Sequence, residues 1–293
     1  MAPVIAVSGA TGRIGGLVAR RLAAAGVSQR LLCRDPSKLP ELPGALAAPA
    51  AEYGDGPAMR AALTGADTLF LVSARESADR VREHITAVDA AVAAGVQRIV
   101  YVSFQGAAPD ATFTFARDHW HTERHIRGLG LPFTFLRDSF YLAAFPAMTG
   151  ADGVLRGPGG RGRVAAVAHE DVADVATAVL TASGAHDGAT YDVTGPAALS
   201  LTEIADHLSR ATGRAITYHA ETQDEAYASR AGYDAAAWEL AGWVSSYEAI
   251  AANEMSFVSD TVPRLAGHPA QSFADFLREH PGSYRHLQEG AAG

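Results

Sequence analysis

Residues 4–15 read Val-Ile-Ala-Val-Ser-Gly-Ala-Thr-Gly-Arg-Ile-Gly. The first four are apolar and mostly β-branched, the pattern of a short buried parallel strand. Ile14, Val18 and Leu22 then recur at helical spacing, and Gly26 supplies a helix stop. Three glycines stand between strand and helix. Gly9 permits a tight turn, Gly12 lets the backbone approach a pyrophosphate, and Gly15 lets the helix close on the strand. The N-terminal amides of that helix then face phosphate. A glycine triplet alone also fits a plain strand–helix turn, so the reading depends on the rhythm of the residues beyond Gly26.

That rhythm is a repeated alternation. Strand patterns at Arg30–Cys33, Ala47–Pro49 (weak), Thr68–Val72, Arg98–Phe104 and Phe133–Arg137 are separated by helical stretches at Pro57–Leu63, around Ile85, Val88 and Val92, and at Phe115–Leu129. Five or more such alternations indicate an α/β fold with a doubly wound parallel sheet of Rossmann type. The rhythm changes after Arg137. Gly150 to Gly162 reads as a loop or hairpin, Val164–Val167 and Tyr191–Val193 as strands, and Asp171–Thr181 as a helix. Ser200-Leu-Thr-Glu203 is a capping box opening a helix to Thr212, residues 225–252 look helical, and Phe273–Glu279 is a last helix. Residues 1–140 are therefore expected to form a dinucleotide-binding domain with some later segments interleaved. Residues 141–293 are expected to form a smaller, mainly helical substrate-binding region.

Composition narrows the function. At 293 residues the chain is long enough for one large domain or two intimate ones. A net charge of −8 argues against nucleic acid or an anionic membrane as partner. The single cysteine, Cys33, excludes an intramolecular disulfide and a cysteine-rich zinc site. There is no basic leader and no apolar run of roughly 18 residues, so a cytoplasmic protein is expected. His121 and His125 stand at a spacing that can hold zinc, but no third ligand is near in sequence, and no metal is expected. A homodimer is compatible with the sequence.

The cofactor is read about 20 residues beyond the glycines. An NAD site places a carboxylate at the end of the second strand for the ribose 2′-hydroxyl. Here Arg34 comes first after the strand and Lys38, the only lysine, stands four residues later. Two cations at that place suit a 2′-phosphate, with Arg13 as a third, and NADP(H) is expected over NAD(H). Asp35 either holds a hydroxyl or initiates the turn before Pro36.

Val-Ser-Gly-Ala-Thr-Gly-Arg-Ile-Gly-Gly at 7–16, Cys-Arg-Asp-Pro-Ser-Lys at 33–38, Gly-Ala-Asp-Thr-Leu-Phe-Leu-Val-Ser at 65–73 and Ile-Val-Tyr-Val-Ser-Phe at 99–104 together resemble the atypical short-chain dehydrogenase/reductases. The resemblance is closest to their NmrA-like branch of quinone reductases, triphenylmethane dye reductases and redox-sensing regulators. His119-Trp-His-Thr-Glu123 and Phe135-Leu-Arg-Asp138 with Phe140-Tyr141 add to it. The resemblance implies that Gly9, Thr11, Gly12, Arg13, Ile14 and Gly15 line the pyrophosphate and that Arg34 and Lys38 take the 2′-phosphate. It implies that Asp55 lies near the adenine, that Ser73 and Ser103 sit at the ligand-binding strand ends, and that His119 contacts the nicotinamide ribose.

The usual Tyr-x-x-x-Lys pair of that superfamily is absent, because the only lysine is Lys38. By spacing, Phe115 takes the tyrosine's place and His119 the lysine's. Hydride addition to an isolated ketone makes a basic alkoxide that needs a positioned acid. Hydride addition to a quinone makes a phenolate with a pKa of about 10, which needs none. The expected activity is NADPH-dependent reduction of a quinone or other conjugated acceptor. His119, Ser103 and Tyr141 are the catalytic candidates, with Glu123 orienting His119. Phe104, Gln105, Phe140 and Tyr141 are the expected acceptor pocket, with Trp238 and Trp243 as further candidates. Arg137, at a strand end near the site, either pairs with a carboxylate or contacts a ligand. The alternative function is a non-catalytic NADP(H) sensor that regulates a partner protein.

Overall fold

The computed structural model describes residues 3–289. The central sheet has seven strands: β1 (Ile5–Val7), β2 (Gln29–Leu31), β3 (Ala45–Ala47), β4 (Thr68–Leu71), β5 (Arg98–Phe104), β6 (Phe133–Asp138) and, after two short strands β7 (Val154–Gly157) and β8 (Arg163–Val164), β9 (Ala189–Val193). Their order is β3-β2-β1-β4-β5-β6-β9. All neighbours are parallel. The chain reverses its direction of travel across the sheet between β1 and β4. The crevice outside the carboxyl ends of those two strands is where doubly wound sheets bind ligands.

Helices cover both faces. α1 (Arg13–Ala24) lies on one face. α2 (Gly56–Leu63), α3 (Arg80–Ala93) and α4 (Thr114–Gly128) lie on the other. After the short α5 (Ala144–Met148), α6 (His169–Thr181) returns to pack beside α1. One apolar core joins Val7, Val18, Leu22 and Phe70 to Val172, Val175 and Val179 of α6. A second joins Met59, Leu69, Val88, Tyr101 and Phe135 on the opposite face. Helix α6 and strand β9 thus complete the glycine-bearing part of the molecule although they lie beyond residue 150.

The rest forms a second lobe over the carboxyl ends of β5 and β6. It contains β10 (Leu199–Ser200), α7 (Leu201–Thr212), β11 (Thr217–Ala220), α8 (Gln223–Arg230), α9 (Ala237–Ala251), α10 (Phe273–Glu279) and α11 (Arg285–Glu289). The capping box at Ser200 forms, with the Ser200 hydroxyl accepting from Glu203 N–H and the Glu203 carboxylate accepting from Ser200 N–H. Three expectations need correction. The third strand lies at Ala45–Ala47 rather than 47–49. The glycine-rich stretch is more than a loop or hairpin: beyond a tight antiparallel turn that bridges Thr149 to Leu155, β7 pairs in parallel with β11, a polar strand with no alternation to reveal it. Of the 164–167 run only Val164 joins a ladder, with Arg163 before it, and Val167 makes an isolated bridge to Tyr141.

Candidate functional site

The β1–α1 turn has the geometry its glycines require. Gly9 sits at φ +59°, and a Cβ on Gly15 would lie 2.4 Å from the Gly9 carbonyl oxygen and 2.5 Å from that of Ser8. Only glycine lets α1 start this close to β1. Gly12 is the N-cap and has no side chain to cap with, and no acidic residue stands in the first turn. The first amides of α1 are therefore left for an anion. Thr11, Gly12 and Arg13 form the exposed crest, while Ile14 is buried beneath it. This cradle fits a pyrophosphate.

At the end of β2 the ambiguity of Asp35 resolves. Its carboxylate accepts from Ser37 N–H at 3.2 Å and from the Ser37 hydroxyl at 2.6 Å, capping the 36–38 turn. Those bonds hold its carboxyl below the usual range. Lys38 reaches back to Asp35 at 3.4 Å, so part of its charge is spent within the turn. Arg34 is exposed and makes no ion pair among the described residues, which leaves it the better cation for a phosphate. Asp55 is likewise used locally, accepting from Ala58 N–H at 3.0 Å as the N-cap of α2.

The β1–β4 crevice is tied together by groups with no sequence signature. The Tyr53 hydroxyl lies 2.6 Å from Ser8 Oγ and 2.8 Å from the Val72 carbonyl, and Ser8 Oγ accepts from Val72 N–H at 2.9 Å. The loop after β4, which carries partly buried Ser73, is pinned by His84 of α3. His84 Nε2 accepts from Ala74 N–H at 2.8 Å, so Nδ1 carries the proton and faces Thr122 Oγ1 at 2.9 Å. Burial, and then the nearby Arg80 charge, pushes the imidazole's pKa down to about 3, so it stays neutral.

Helix α4 brings the family-implied histidine to the site but not in the expected company. His119 is buried, and its Nδ1 lies 2.9 Å from the Tyr101 hydroxyl of β5. Burial, reinforced by Arg80, lowers its pKa well below the ordinary value. Glu123 does not orient it. That carboxylate takes a bidentate pair from Arg137 at 2.8 and 2.7 Å, a further contact from Arg127 at 3.1 Å, and the Ser103 hydroxyl at 2.7 Å. A carboxylate one turn along the same helix face can reach His119, but the fork of Arg137 on the neighbouring strand binds it more strongly. Ser103 is thereby buried beneath an ion pair and offers no hydroxyl to a ligand. Of the two roles open to Arg137, the structure shows the anchor.

Tyr141 follows β6. Its hydroxyl donates to Asp138, and its ring stacks on His169 at 3.9 Å between centroids. Burial raises the Asp138 pKa to about 7, and burial together with the Asp138 charge pushes the Tyr141 phenol well above its usual range. His169, at the start of α6, is pushed down to about 4 by burial and by Arg13 of the glycine loop. The pair His169–Tyr141 therefore connects the phosphate side of the site to the end of β6. Read by spacing alone, His169 does no more than open a helix.

Beside these strand ends lies a cavity of about 700 Å³. Phe113, Phe115 and Phe140 form its inner wall. Phe104 stands behind that wall, 5.2 Å from Phe113, 5.4 Å from Phe140 and 6.0 Å from His119 between ring centroids, and so joins the cavity to the histidine. Of Phe104, Gln105, Phe140 and Tyr141, Phe140 alone lines the cavity. Gln105 instead donates its amide to the Phe257 carbonyl at 3.0 Å, and Tyr141 is turned to Asp138 and His169. Phe115 is pressed against Gly242 of α9, where a Cβ would lie 2.1 Å from its Cζ. Trp238 packs on Phe115 at 5.8 Å, while Trp243, unlike Trp238, lines the cavity.

The sequence profile of the NmrA-like family matches residues 1–253. Over 287 residues the chain is 36% identical to the (4-alkanoyl-5-oxo-2,5-dihydrofuran-3-yl)methyl phosphate reductase of Streptomyces griseus, covering 96% of this chain and 99% of that protein. It is 32% identical over 286 residues to the NAD(P)H azoreductase of Xenophilus azovorans, with coverage of 96% and 99%. Among solved structures it resembles the NADPH-dependent quinone oxidoreductase of Escherichia coli in complex with NADPH. That match has a TM-score of 0.86 and 28% identity, over 94% of this chain and 99% of that one.

Proposed function

The chain belongs to the NmrA-like family, and on that premise we propose that it passes hydride from NADPH to a quinone or similarly conjugated acceptor seated against Phe113, Phe115 and Phe140. It is an NAD(P)H-dependent oxidoreductase. The observation that carries the acceptor class is the wall itself. Where a ketone reductase of the wider superfamily presents a phenol, this cavity presents the ring of Phe115, closed off by Gly242.

The residues divide the work. The amides after Gly12 hold the pyrophosphate, with Gly9 and Gly15 making the room. Arg34 holds the 2′-phosphate, assisted by Lys38. His119 is neutral. With the Tyr101 hydroxyl donating to Nδ1, its Nε2–H is a donor for a ribose hydroxyl. When bound, the dihydronicotinamide supplies the hydride. The aromatic wall holds a flat acceptor and excludes water, which favours hydride over side reactions. The acceptor takes the hydride's electron pair as a delocalised anion such as a phenolate, which takes its proton from solvent on release from the cavity. Tyr141 is not needed as an acid, because its proton is held on Asp138.

Arg34→Ala tests the cofactor half. A charge-assisted pair of this kind is worth about 1.5–3 kcal/mol, so NADPH affinity should fall about 10- to 100-fold while NADH affinity stays within about twofold. Direct titration of both cofactors reads this, and equal losses would remove the phosphate assignment. NADPH oxidation with quinones and conjugated enones, but not with simple ketones, is the result expected for the acceptor half. Tight NADPH binding without oxidation of any acceptor would favour the sensor.

A further inference from the structure

We propose that two residues of the cavity set its choice among acceptors, Trp243 sorting them by size and Glu76 by charge. This rests on the reductase reading above and extends it to the chemistry of the substrate. Size comes first. A cavity of about 700 Å³ falls in the upper part of the range for drug-sized ligands and is far larger than one quinone ring needs. An acceptor with its reducible ring on Phe113, Phe115 and Phe140 must therefore extend outward to fill it. At the outer end stand Tyr233 and Trp243, 68% and 38% exposed, packed edge to face at 6.1 Å. Large aromatic side chains left open to water at a cavity mouth offer a stacking platform for a distal ring.

Charge follows from which polar lining groups are already committed. The Ser229 and Ser246 hydroxyls donate to the carbonyls of Ala226 and Trp243 at 3.2 and 2.7 Å. Arg230 is paired with Glu221 at 2.7 Å and also donates to the Ala226 and Arg156 carbonyls. Arg156 is paired with Asp152 at 2.6 Å. These groups have little left for a ligand, so the lining that remains is largely aromatic. Among the charged lining groups Glu76, in the loop after β4, is the exception. It is exposed, lines the cavity, and has no hydrogen bond or ion pair among the described residues. With both guanidinium groups matched by carboxylates, Glu76 leaves the lining with one uncompensated negative charge. That charge attracts a delocalised cation, tolerates a neutral quinone, and repels a sulfonate or phosphate ester.

The test uses the full chain with NADPH and four acceptors: 1,4-benzoquinone, 9,10-phenanthrenequinone, the cation crystal violet and anthraquinone-2-sulfonate. The readout is the ratio of kcat/KM between variant and wild type for each acceptor, which cancels their intrinsic reactivity. Glu76→Gln should lower the ratio about fivefold for the cation, leave both uncharged quinones within about twofold, and raise it for the sulfonate. Trp243→Ala should lower it about tenfold for the three multi-ring acceptors and leave benzoquinone within about twofold, with Trp243→Phe recovering most of the loss. Acceptor dissociation constants, measured on the NADP⁺-saturated protein, should show the same order. A change uniform across all four acceptors, or a sulfonate preference untouched by Glu76→Gln, would overturn the proposal. Absence of turnover by the wild type with every acceptor would defeat the reductase reading instead, and the dissociation constants would still decide the charge and size order.

Discussion

Asp138 retains a proton at pH values where an ordinary aspartate has lost it. It is buried at the end of β6, where the Tyr141 hydroxyl donates to it, and its pKa stands at about 7 against a usual 3.8. The native state therefore binds a proton that the unfolded chain releases near pH 4. The resulting stability is present in full below that pH, declines as pH rises, and is gone above about pH 7. Asp138→Asn keeps an acceptor for Tyr141 without a charge to bury. Its stability relative to wild type should rise between pH 5 and pH 8 by an amount on the order of a few kcal/mol. Thermal melts of both proteins at the two pH values check this, and parallel pH curves would show that the carboxylate is already ionised. Asp138 was legible as part of a family motif, but its protonation was not, because burial is a property of the fold around it. The same holds for His84: its tautomer is set by an amide ten residues earlier and a hydroxyl on α4, and no spacing rule links those three.

Pairs of elements explain both what the sequence disclosed and what it hid. The β1–α1 turn was legible because its constraint is local: Gly15 meets the carbonyls of Ser8 and Gly9, a few residues away. The partner of Phe115 was not, because Gly242 lies on α9, more than a hundred residues further on. This contact yields a prediction about the superfamily's missing acid. A hydroxyl on Phe115 would extend from Cζ, the atom that a Cβ at Gly242 would meet first. Phe115→Tyr should therefore overpack the α4–α9 interface and cost about 1–3 kcal/mol, and it should give no new activity on simple ketones. Denaturant unfolding and a ketone assay test both halves. An undiminished stability with ketone turnover would mean that the wall has room for a proton donor after all. The polar strand β11 was hidden for a similar reason: it is a strand because β7 lies beside it, and its own residues carry no alternation.

At the scale of the whole molecule the two lobes share their supports. The dinucleotide-binding part takes β9 and α6 from residues beyond 150, and His169 at the start of α6 stacks on Tyr141 at the base of the second lobe. Gln271, just before α10, donates its backbone N–H to Asp171 of α6 at 2.8 Å, and Phe115 and Ala116 of α4 belong to the same apolar core as Leu208 and Tyr247 of the second lobe. With connections running both ways, neither lobe has a complete core without the other's chain, and the molecule should unfold as one cooperative unit. A ligand held only by the native state at 100 times its Kd adds about 2.7 kcal/mol, or about 5 °C for a chain of this size. NADP⁺ binds at the glycine turn on our reading, whereas in a Trp120→Phe background, which removes the tryptophan of α4, Trp238 and Trp243 report from α9 in the second lobe. Their fluorescence melt should move upward with NADP⁺ by the same amount as the far-ultraviolet circular dichroism melt. Two transitions, with only the earlier part of the chain responding to NADP⁺, would instead show that the lobes are independent and that the shared elements transmit no stability. A common shift would mean that occupancy of the cofactor cleft also steadies the aromatic wall of the cavity.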